Sequence, residues 1–257
     1  MTPLLSAQNL SVCIAATHTV CTSLSLEIRA GEHWVILGRN GAGKSTLLAT
    51  LAGLREPNAG TLVLGGRSYR TVGPRVAARL RAFLPQHQND PFPSTVLETA
   101  LIGRHPHLEA WQWESEADIE IARLALKKFD LSAFETRDVQ TLSGGERQRL
   151  AMATLWVQSA PLLLLDEPLT HLDLNHQIAL LDTLRVHTQQ GGAVVSVLHD
   201  PSLAWRYADR VLLLGNEGQA DQGSREEMLT EAHLTALFGY PLQKLISPEG
   251  VMGFLPA

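Results

Sequence analysis

One stretch of this chain decides its fold: Gly38-Arg39-Asn40-Gly41-Ala42-Gly43-Lys44-Ser45-Thr46. It fits the pattern G-x-x-x-x-G-K-[ST], whose glycines let successive backbone N–H groups point at an anion, helped by the positive end of the helix that follows. In such a loop Lys44 reaches the β and γ phosphates of a nucleotide, and the hydroxyl of Ser45 binds Mg²⁺. The stretch therefore predicts a nucleotide-binding site formed by residues 38–46.

The segments on either side of this loop supply the context that the pattern requires. Residues 33–37, His-Trp-Val-Ile-Leu, have the length and branching of a buried strand, and residues 46–52 are typical of a helix. A glycine-rich turn with an accidental lysine would not need to lie between a strand and a helix. The sequence therefore predicts an α/β fold in which a buried strand runs into the loop.

The composition of the chain limits its possible functions. A length of 257 residues with 45% hydrophobic residues fits one large domain, or a core with an inserted subdomain. Apolar runs such as 162–165 and 211–214 are far shorter than the ~20 residues of a membrane-spanning helix. The net charge of −5, with scattered basic residues, argues against a nucleic-acid partner. Two isolated cysteines, Cys13 and Cys21, and the lack of an export signal predict a cytosolic location.

A second candidate anion site lies later in the chain, at Leu142-Ser143-Gly144-Gly145-Glu146-Arg147-Gln148-Arg149. Ser143 followed by Glu146 is a capping box, which predicts a helix that starts here and runs to about Val157. The hydroxyl of Ser143 and the N–H groups of Gly144 and Gly145 would lie at the start of that helix, where anions bind. One nucleotide can use both sites only if the chain folds them together or if two chains supply them.

Two adjacent carboxylates follow the apolar run 162–165. At the end of such a strand Asp166 can hold Mg²⁺ through water, and Glu167, on the opposite side of the pleat, can polarise an attacking water molecule. His199 follows the next core strand, residues 193–198, so we expect its imidazole beside the two acids and within reach of the γ phosphate. These three residues predict hydrolysis of the bound nucleotide.

Two further features concern the organisation of the chain. Alternating apolar residues predict strands of an antiparallel sheet over 4–14 and 24–28, which should frame the base of the nucleotide. The apolar run that begins at Phe83 ends in the amide of Gln86, and the polar, proline-containing residues 87–94 then lead out of the core into a different substructure.

The segment that follows contains aromatic and histidine side chains to which we assign structural roles. Trp111 and Trp113 precede a helix and are expected to pack against the protein. His105 and His107 are expected to be surface residues without a metal, since no third ligand accompanies them. The helix runs to about residue 129, and its spacing predicts one buried face, made by Ala117, Ile121, Leu124 and Ala125.

The complete set of motifs, in this order, resembles the ATPase subunit of an ATP-binding cassette (ABC) transporter over nearly the whole chain. The resemblance implies ATP and Mg²⁺ as cofactors, with Mg²⁺ held by Ser45, Gln86 and Asp166. It implies that residues 38–46 are the Walker A loop, Gln86 the Q-loop glutamine, Leu142–Gln148 the signature motif, Leu162–Asp166 the Walker B motif, Glu167 the catalytic glutamate, Leu172-Asp173 the D-loop and His199 the switch histidine.

The family also implies an architecture. Residues 1–257 would form one ABC ATPase domain, a P-loop NTPase with a RecA-like core and an antiparallel β subdomain in 1–86 and 159–257, and an inserted helical subdomain in 87–158. Two copies of such a domain dimerise head to tail, so that the signature motif of one copy closes over the γ phosphate held by Lys44 of the other. The nucleotide-binding set implied in this way includes Ser143, Gly144, Gly145, Glu146 and Asp173.

A cassette without fused membrane helices is similar to the ATPase subunits of bacterial importers. Such subunits bind separate permease subunits at the cytoplasmic face of the inner membrane and depend indirectly on a substrate-binding protein. Gly103-Arg-His-Pro-His107 and Pro91-Phe-Pro93 resemble importers of cobalamin, ferric siderophores and haem. Trp111-Gln-Trp113 and Phe238-Gly-Tyr-Pro241 favour cobalamin within that group.

Three alternatives remain open at this stage. The same ATPase could serve the import of a ferric siderophore or haem, or it could be a soluble ABC ATPase that acts on ribosomes or DNA. A P-loop kinase would use the same phosphate loop but would have no need for residues 143–146. The adenine contact is also open, because the positions near Ile14 and Ala15 lack the aromatic residue that family members usually have, which leaves apolar contacts or His18.

Overall fold

The computed structural model describes residues 2–14, 18–87, 93–109, 111–248 and 252–257. Within these ranges the chain forms a central, mainly parallel sheet, a smaller antiparallel sheet and a C-terminal hairpin, together with α-helices. The strands are β1 (Leu5–Ile14), β2 (His18–Ile28), β3 (His33–Gly38), β4 (Ala59–Leu64), β5 (Arg67–Ser68), β6 (Arg81–Leu84), β7 (Leu162–Leu165), β8 (Ala193–Val197), β9 (Arg210–Leu214), β10 (Ala220–Ser224), β11 (Leu242–Ile246) and β12 (Met252–Pro256). The α-helices are α1 (Lys44–Leu51), α2 (Tyr69–Val72), α3 (Pro74–Leu80), α4 (Val96–Leu101), α5 (Glu116–Lys128), α6 (Gly144–Val157), α7 (Leu174–Gln189), α8 (Pro201–Tyr207), α9 (Arg225–Met228) and α10 (Glu231–Phe238).

The central sheet has the strand order β10-β9-β3-β8-β7-β6, and every pair of neighbours is parallel except β9 and β10. All residues of β3, β7 and β8 are buried, as expected for parallel strands in the interior of a sheet. The predicted α/β fold, with a buried strand that runs into a loop and then a helix, is confirmed by β3 and α1. Since ligands of such sheets bind at the carboxyl ends of the strands, this loop lies at the expected edge.

The smaller sheet has the order β2-β1-β4-β5 and is antiparallel, as the alternating residues predict. The strand β2 begins at His18, which is earlier than the predicted start at residue 24. Register shifts between β1 and β2 interrupt the alternation of apolar and polar residues, so the period of two does not reveal the first part of β2. Side chains of this sheet pack in one hydrophobic cluster with those of α1.

The helices α4, α5 and α6 share a second hydrophobic cluster with β6 and β7. The capping box of Ser143 and Glu146 is present, and α6 ends at Val157 as predicted. The proposed division of the chain at residues 87 and 158 stays a prediction. In the described ranges no helix combines the length and the hydropathy that crossing a membrane requires.

The sequence interpretation of the segment before α5 is wrong for its tryptophans. Trp111 is 99% exposed and Trp113 is 86% exposed, so neither packs against the protein. The buried residues of α5 are Asp118, Ala122, Ala125 and Leu126. Ala117 and Leu124, which the spacing placed in the core, are exposed, Leu124 by 57%. The buried face thus includes Asp118, which forms an ion pair with Arg104 of the segment that precedes α5.

That part of the chain is a 3₁₀-helix, Ile102–His107, which packs tightly against α6. Arg104 contacts Asp118 at 2.7 Å and donates to the carbonyl oxygen of Val157 at 3.2 Å. The ring Nε2 of His107 lies 2.9 Å from the carbonyl oxygen of Gln158. His105 is exposed, as expected, but half-buried His107 helps to dock this segment on the end of α6.

The close packing of the segment depends on Gly103, because a Cβ there would lie 2.2 Å from the carbonyl oxygen of Thr154. We predict that Gly103→Ala lowers the free energy of unfolding by about 1–3 kcal/mol, since the two backbones must separate. Urea denaturation followed by circular dichroism measures this change. Gly215→Ala is the control, since its Cβ would make only ordinary contacts of 3.4 Å or more. Equal stability of the two variants would contradict the prediction.

Candidate nucleotide site

The phosphate loop needs glycine for its backbone conformation and for its packing. Gly41 and Gly43 have φ values of 83° and 89°, in the left-handed region. A Cβ on Gly43 would lie 2.4 Å from the side chain of Val20 on β2, and a Cβ on Gly38 would lie 2.8 Å from the carbonyl oxygen of Leu214 on β9. The loop is therefore clamped between the two sheets, which fixes the direction of its N–H groups.

Lys44, the first residue of α1, is folded over this loop. Its side chain is 6% exposed, and its ammonium group donates to the carbonyl oxygens of Gly38 at 2.9 Å and Arg39 at 3.0 Å. Burial lowers the pKa of Lys44, while the carboxylates of Glu167 and Asp166 act in the opposite direction. The arrangement places a cation beside a loop of backbone N–H groups, which is suited to binding phosphate.

Asp166 connects the end of β7 with the start of α1. It is 3% exposed, hydrogen bonds with the side chain of Ser45, and donates its backbone N–H to the carbonyl oxygen of Leu84 at 2.9 Å. Burial raises the pKa of Asp166, and the hydrogen bond with Ser45 opposes this change. Among the described residues, nothing hydrogen bonds to Oδ1 of Asp166. A buried carboxylate oxygen of this kind beside a hydroxyl group fits Mg²⁺.

Gln86 lies at the same edge of the sheet. It follows the end of β6 by two residues and is exposed, and Leu84 of β6 pairs with Leu165 of β7. In the part of the chain that the structure describes, no group of three His, Cys, Asp or Glu side chains could hold a metal by itself. Mg²⁺ needs no such group, because it usually combines one or two protein ligands with water and phosphate oxygens. Ser45 and Asp166, which hydrogen bond to each other, could hold it, and the participation of Gln86 stays a prediction.

Glu167 and His199 form a pair next to these residues. Nε2 of His199 lies 2.9 Å from Oε1 of Glu167, and the two side chains are 48% and 16% exposed. The backbone of Glu167 has a φ of 50°, and β7 has already ended at Leu165. The expectation that Glu167 continues the pleat on its opposite side is therefore wrong, because the chain turns there in the left-handed region. This turn aims the carboxylate at His199.

The second predicted anion site, residues 143–146, is built as a helix start. The hydroxyl of Ser143 accepts from the N–H of Glu146 at 3.3 Å, and the carboxylate of Glu146 accepts from the N–H of Ser143 at 2.7 Å. Glu146 also forms an ion pair with Arg137 at 3.1 Å. In the described ranges, no hydrogen bond or ion pair joins residues 143–146 to residues 38–46. This geometry favours two chains as the source of the two sites.

The glycines of this second site face a turn of the same chain. A Cβ on Gly144 would lie 3.4 Å from the ring of His171, and a Cβ on Gly145 would lie 3.0 Å from the carbonyl oxygen of His171. His171 has a φ of 66°. Motif spacing identifies Asp173 but gives no signal for His171, since this contact exists only after α6 and the turn have packed together.

Asp173 begins the helix α7 as its N-terminal cap. Its carboxylate accepts from the backbone N–H of His176 at 2.9 Å and lies 2.9 Å from Nδ1 of the same residue. The backbone hydrogen bond lowers the pKa of Asp173, so the side chain stays ionised at neutral pH. The side chain is 65% exposed and is available to a second molecule.

The predicted base-binding region is only partly described. Ile14, at the end of β1, pairs with His18, at the start of β2. Ala15, and Pro91 and Phe92 of the importer-like motif, lie outside the described residues. The contact with adenine therefore stays a prediction.

Known proteins resemble this chain in sequence. The sequence profile of the ABC transporter family matches residues 21–170. The hemin import ATP-binding protein of Burkholderia ambifaria is 39% identical, and the match covers 96% of this chain and 97% of that protein. The petrobactin import ATP-binding protein of Bacillus anthracis is 38% identical over 91% of this chain and 85% of its own length. The cobalamin import ATP-binding protein of Halobacterium salinarum is 37% identical over 91% of this chain but only 58% of its own length.

The fold agrees with these matches. A solved structure described as an inward-facing "metal-chelate type ABC transporter" superposes with a TM-score of 0.87 at 31% identity, and covers 100% of this chain and 98% of the matched chain. Sequence, fold and the grouping of the phosphate loop with Asp166 and Glu167 lead to one assignment. This chain belongs to the ABC transporter family and is one of its ATP-hydrolysing subunits.

Proposed function

We propose that this chain is the ATPase subunit of a bacterial importer that takes up a metal chelate. The observation that supports its chemistry best is the grouping of Lys44, Ser45, Asp166, Glu167 and His199 at the carboxyl edge of one parallel sheet. The relatives support the other two parts of the proposal, that the chain serves import and that the cargo is a metal chelate, because they are named for the import of hemin, petrobactin and cobalamin.

In the proposed cycle, the loop N–H groups and Lys44 bind the β and γ phosphates of ATP. Phosphate oxygens are charged acceptors, so they compete effectively with the carbonyl oxygens of Gly38 and Arg39 for the ammonium group. Mg²⁺, when bound, would neutralise the charge that develops on the phosphates. Ser45, Asp166 and Gln86 would position it.

Glu167 would orient the attacking water and accept its proton. Its partner in this structure, His199, is close enough to hold the carboxylate and follows the neighbouring strand β8 by two residues. With ATP bound, the same imidazole would contact the γ phosphate. Glu167 and His199 would thus supply a base and a hydrogen-bond donor to the reacting group.

A second copy of the chain would complete the site. Its Ser143 hydroxyl and the N–H groups of Gly144 and Gly145 would close over the γ phosphate, and its Asp173 would approach the same interface. Hydrogen bonds to charged groups contribute roughly 1.5–3 kcal/mol each, so a few at each of two sites make closure depend on ATP. Hydrolysis removes the phosphate that joins the two copies, and they separate.

The first test of this cycle is Glu167→Gln. Removal of the base should lower ATP turnover by about 10²–10⁴-fold while ATP binding persists, because the phosphate loop is unchanged. With turnover blocked, the variant should be dimeric in ATP and monomeric without it, as measured by size-exclusion chromatography with light scattering.

Glu217→Gln is a matched control for this experiment. Glu217 also has a positive φ, 56°, but it lies in the turn between β9 and β10. This variant should hydrolyse ATP at the wild-type rate. A Glu167→Gln variant that stays monomeric in ATP would contradict the proposed cycle.

For the cargo, we propose a metal chelate, with hemin ahead of the cobalamin that the sequence motifs favour. The relative named for hemin aligns over 97% of its length, whereas the one named for cobalamin aligns over 58%. The chain would act at the cytoplasmic face of the inner membrane, bound to permease subunits, and a substrate-binding protein would act with it indirectly.

We predict that the tagged chain, extracted from its native membranes in mild detergent, co-purifies with a polytopic membrane protein that mass spectrometry can identify. Vesicles that contain this complex should take up hemin in an ATP-dependent manner, with cobalamin and a ferric siderophore as the competing cargoes. If the vesicles took up only cobalamin or only the ferric siderophore, that compound would replace hemin as the proposed cargo, and the proposal of an importer would stand. Ribosomal or DNA-repair proteins as the only partners would overturn the transport proposal.

A further inference from the structure

A cavity of about 740 Å³ opens on the side of the molecule opposite the nucleotide edge of the sheet. It lies between α5, the end of α6, the residues that lead into β7, and the turn that joins α7 to β8. Because Pro161 and Gly192 precede their parallel strands, the cavity is at the amino ends of β7 and β8. None of the residues assigned to the nucleotide site takes part in it.

One part of the cavity wall is apolar and aromatic. Trp156 contributes its ring, which packs edge-on against Phe129 at 6.0 Å and against His187 at 5.5 Å between ring centroids. Leu124, which is 57% exposed, lines the cavity beside Leu155. Burial lowers the pKa of His187, so this part of the wall is uncharged at neutral pH. The position of Leu124 thus exposes apolar surface to the cavity and not to bulk solvent alone.

The charge of the cavity has one sign. The chain contains only four lysines, and two of them, Lys127 and Lys128, line this cavity. The ammonium group of Lys128 lies 5.1 Å from the centre of the Trp156 ring. Among the described lining residues there is no aspartate or glutamate to neutralise the two cations. In a protein with a net charge of −5, this is a local concentration of positive charge next to an aromatic wall.

We propose that this cavity binds a small organic anion with a flat apolar body. Its volume is within the range of sites for drug-sized ligands, and apolar side chains combined with a few polar groups are typical of such sites. The aromatic body would lie against Trp156 and Leu124, and the anionic group would face Lys127 and Lys128. This inference does not depend on the cargo or on the permease.

The test uses a pair of dyes that share the same aromatic body: 8-anilinonaphthalene-1-sulfonate, which is an anion, and N-phenyl-1-naphthylamine, which lacks the sulfonate and is neutral. Fluorescence titration of the full chain with each dye gives the two dissociation constants. In the double variant Lys127→Gln/Lys128→Gln, the dissociation constant of the sulfonate should rise about fivefold to tenfold, while that of the neutral dye changes by less than about twofold.

The matched control is Lys244→Gln. Lys244 also lies over a tryptophan, at 4.4 Å from the centre of the Trp205 ring, but it is on the C-terminal hairpin and outside the cavity. Its loss should leave both dissociation constants unchanged. Circular dichroism and the ATP hydrolysis rate check that all variants are folded.

Three results would overturn the proposal. The first is an unchanged dissociation constant of the sulfonate in the double variant, and the second is an equal change for both dyes. The third is displacement of the sulfonate by saturating ATP with Mg²⁺, which would assign the dye to the phosphate loop. Retention of the dye in ATP, together with the charge-dependent loss in the double variant, supports the cavity as its site.

Discussion

The active site of this ATPase depends on the parallel register of four strands. Val35 of β3 pairs with Ser196 of β8, Ser196 with Leu165 of β7, and Leu165 with Leu84 of β6, so that these residues form one row across the sheet. Because parallel strands end at a common edge of the sheet, the residues that directly follow this row lie close together. The residues that follow the row within three positions are Gly38, His199, Asp166 and Gln86.

The contacts at this edge also set the electrostatics of the site. Lys44 is buried against two backbone carbonyl groups, and Asp166 is buried with one carboxylate oxygen that no described residue satisfies. Burial disfavours both charges, and the opposite charge of the other residue favours each of them. A phosphate would be the partner of Lys44, and a divalent cation would be the partner of Asp166. We therefore expect the two ligands together to stabilise the site more than either one alone.

The sequence predicts this part of the protein well because its signals are local. The glycines of the loop, the apolar runs of the parallel strands and the capping box at Ser143 each act within a few residues, and the structure shows the elements that they predict. The failures at α5 and at Glu167 involve contacts between separate segments. In α5, Leu124 is exposed and Asp118 is buried, where it pairs with Arg104 of the preceding 3₁₀-helix. Glu167 turns away from β7 and contacts His199, which follows the neighbouring strand β8.

The central claim is that two chains share each hydrolytic site, and a mixing experiment tests it most directly. Lys44→Ala removes the phosphate cation and Ser143→Arg blocks the helix start that closes over the partner's phosphate, so each variant alone should lack ATP hydrolysis. In an equal mixture, about half of the dimers combine the two variants, and each of these has one intact site, made of Lys44 from one chain and Ser143 from the other. We predict that hydrolysis returns in the mixture to about a quarter of the wild-type rate. No recovery in the mixture, or full activity of the Ser143→Arg chain alone, would contradict the shared site.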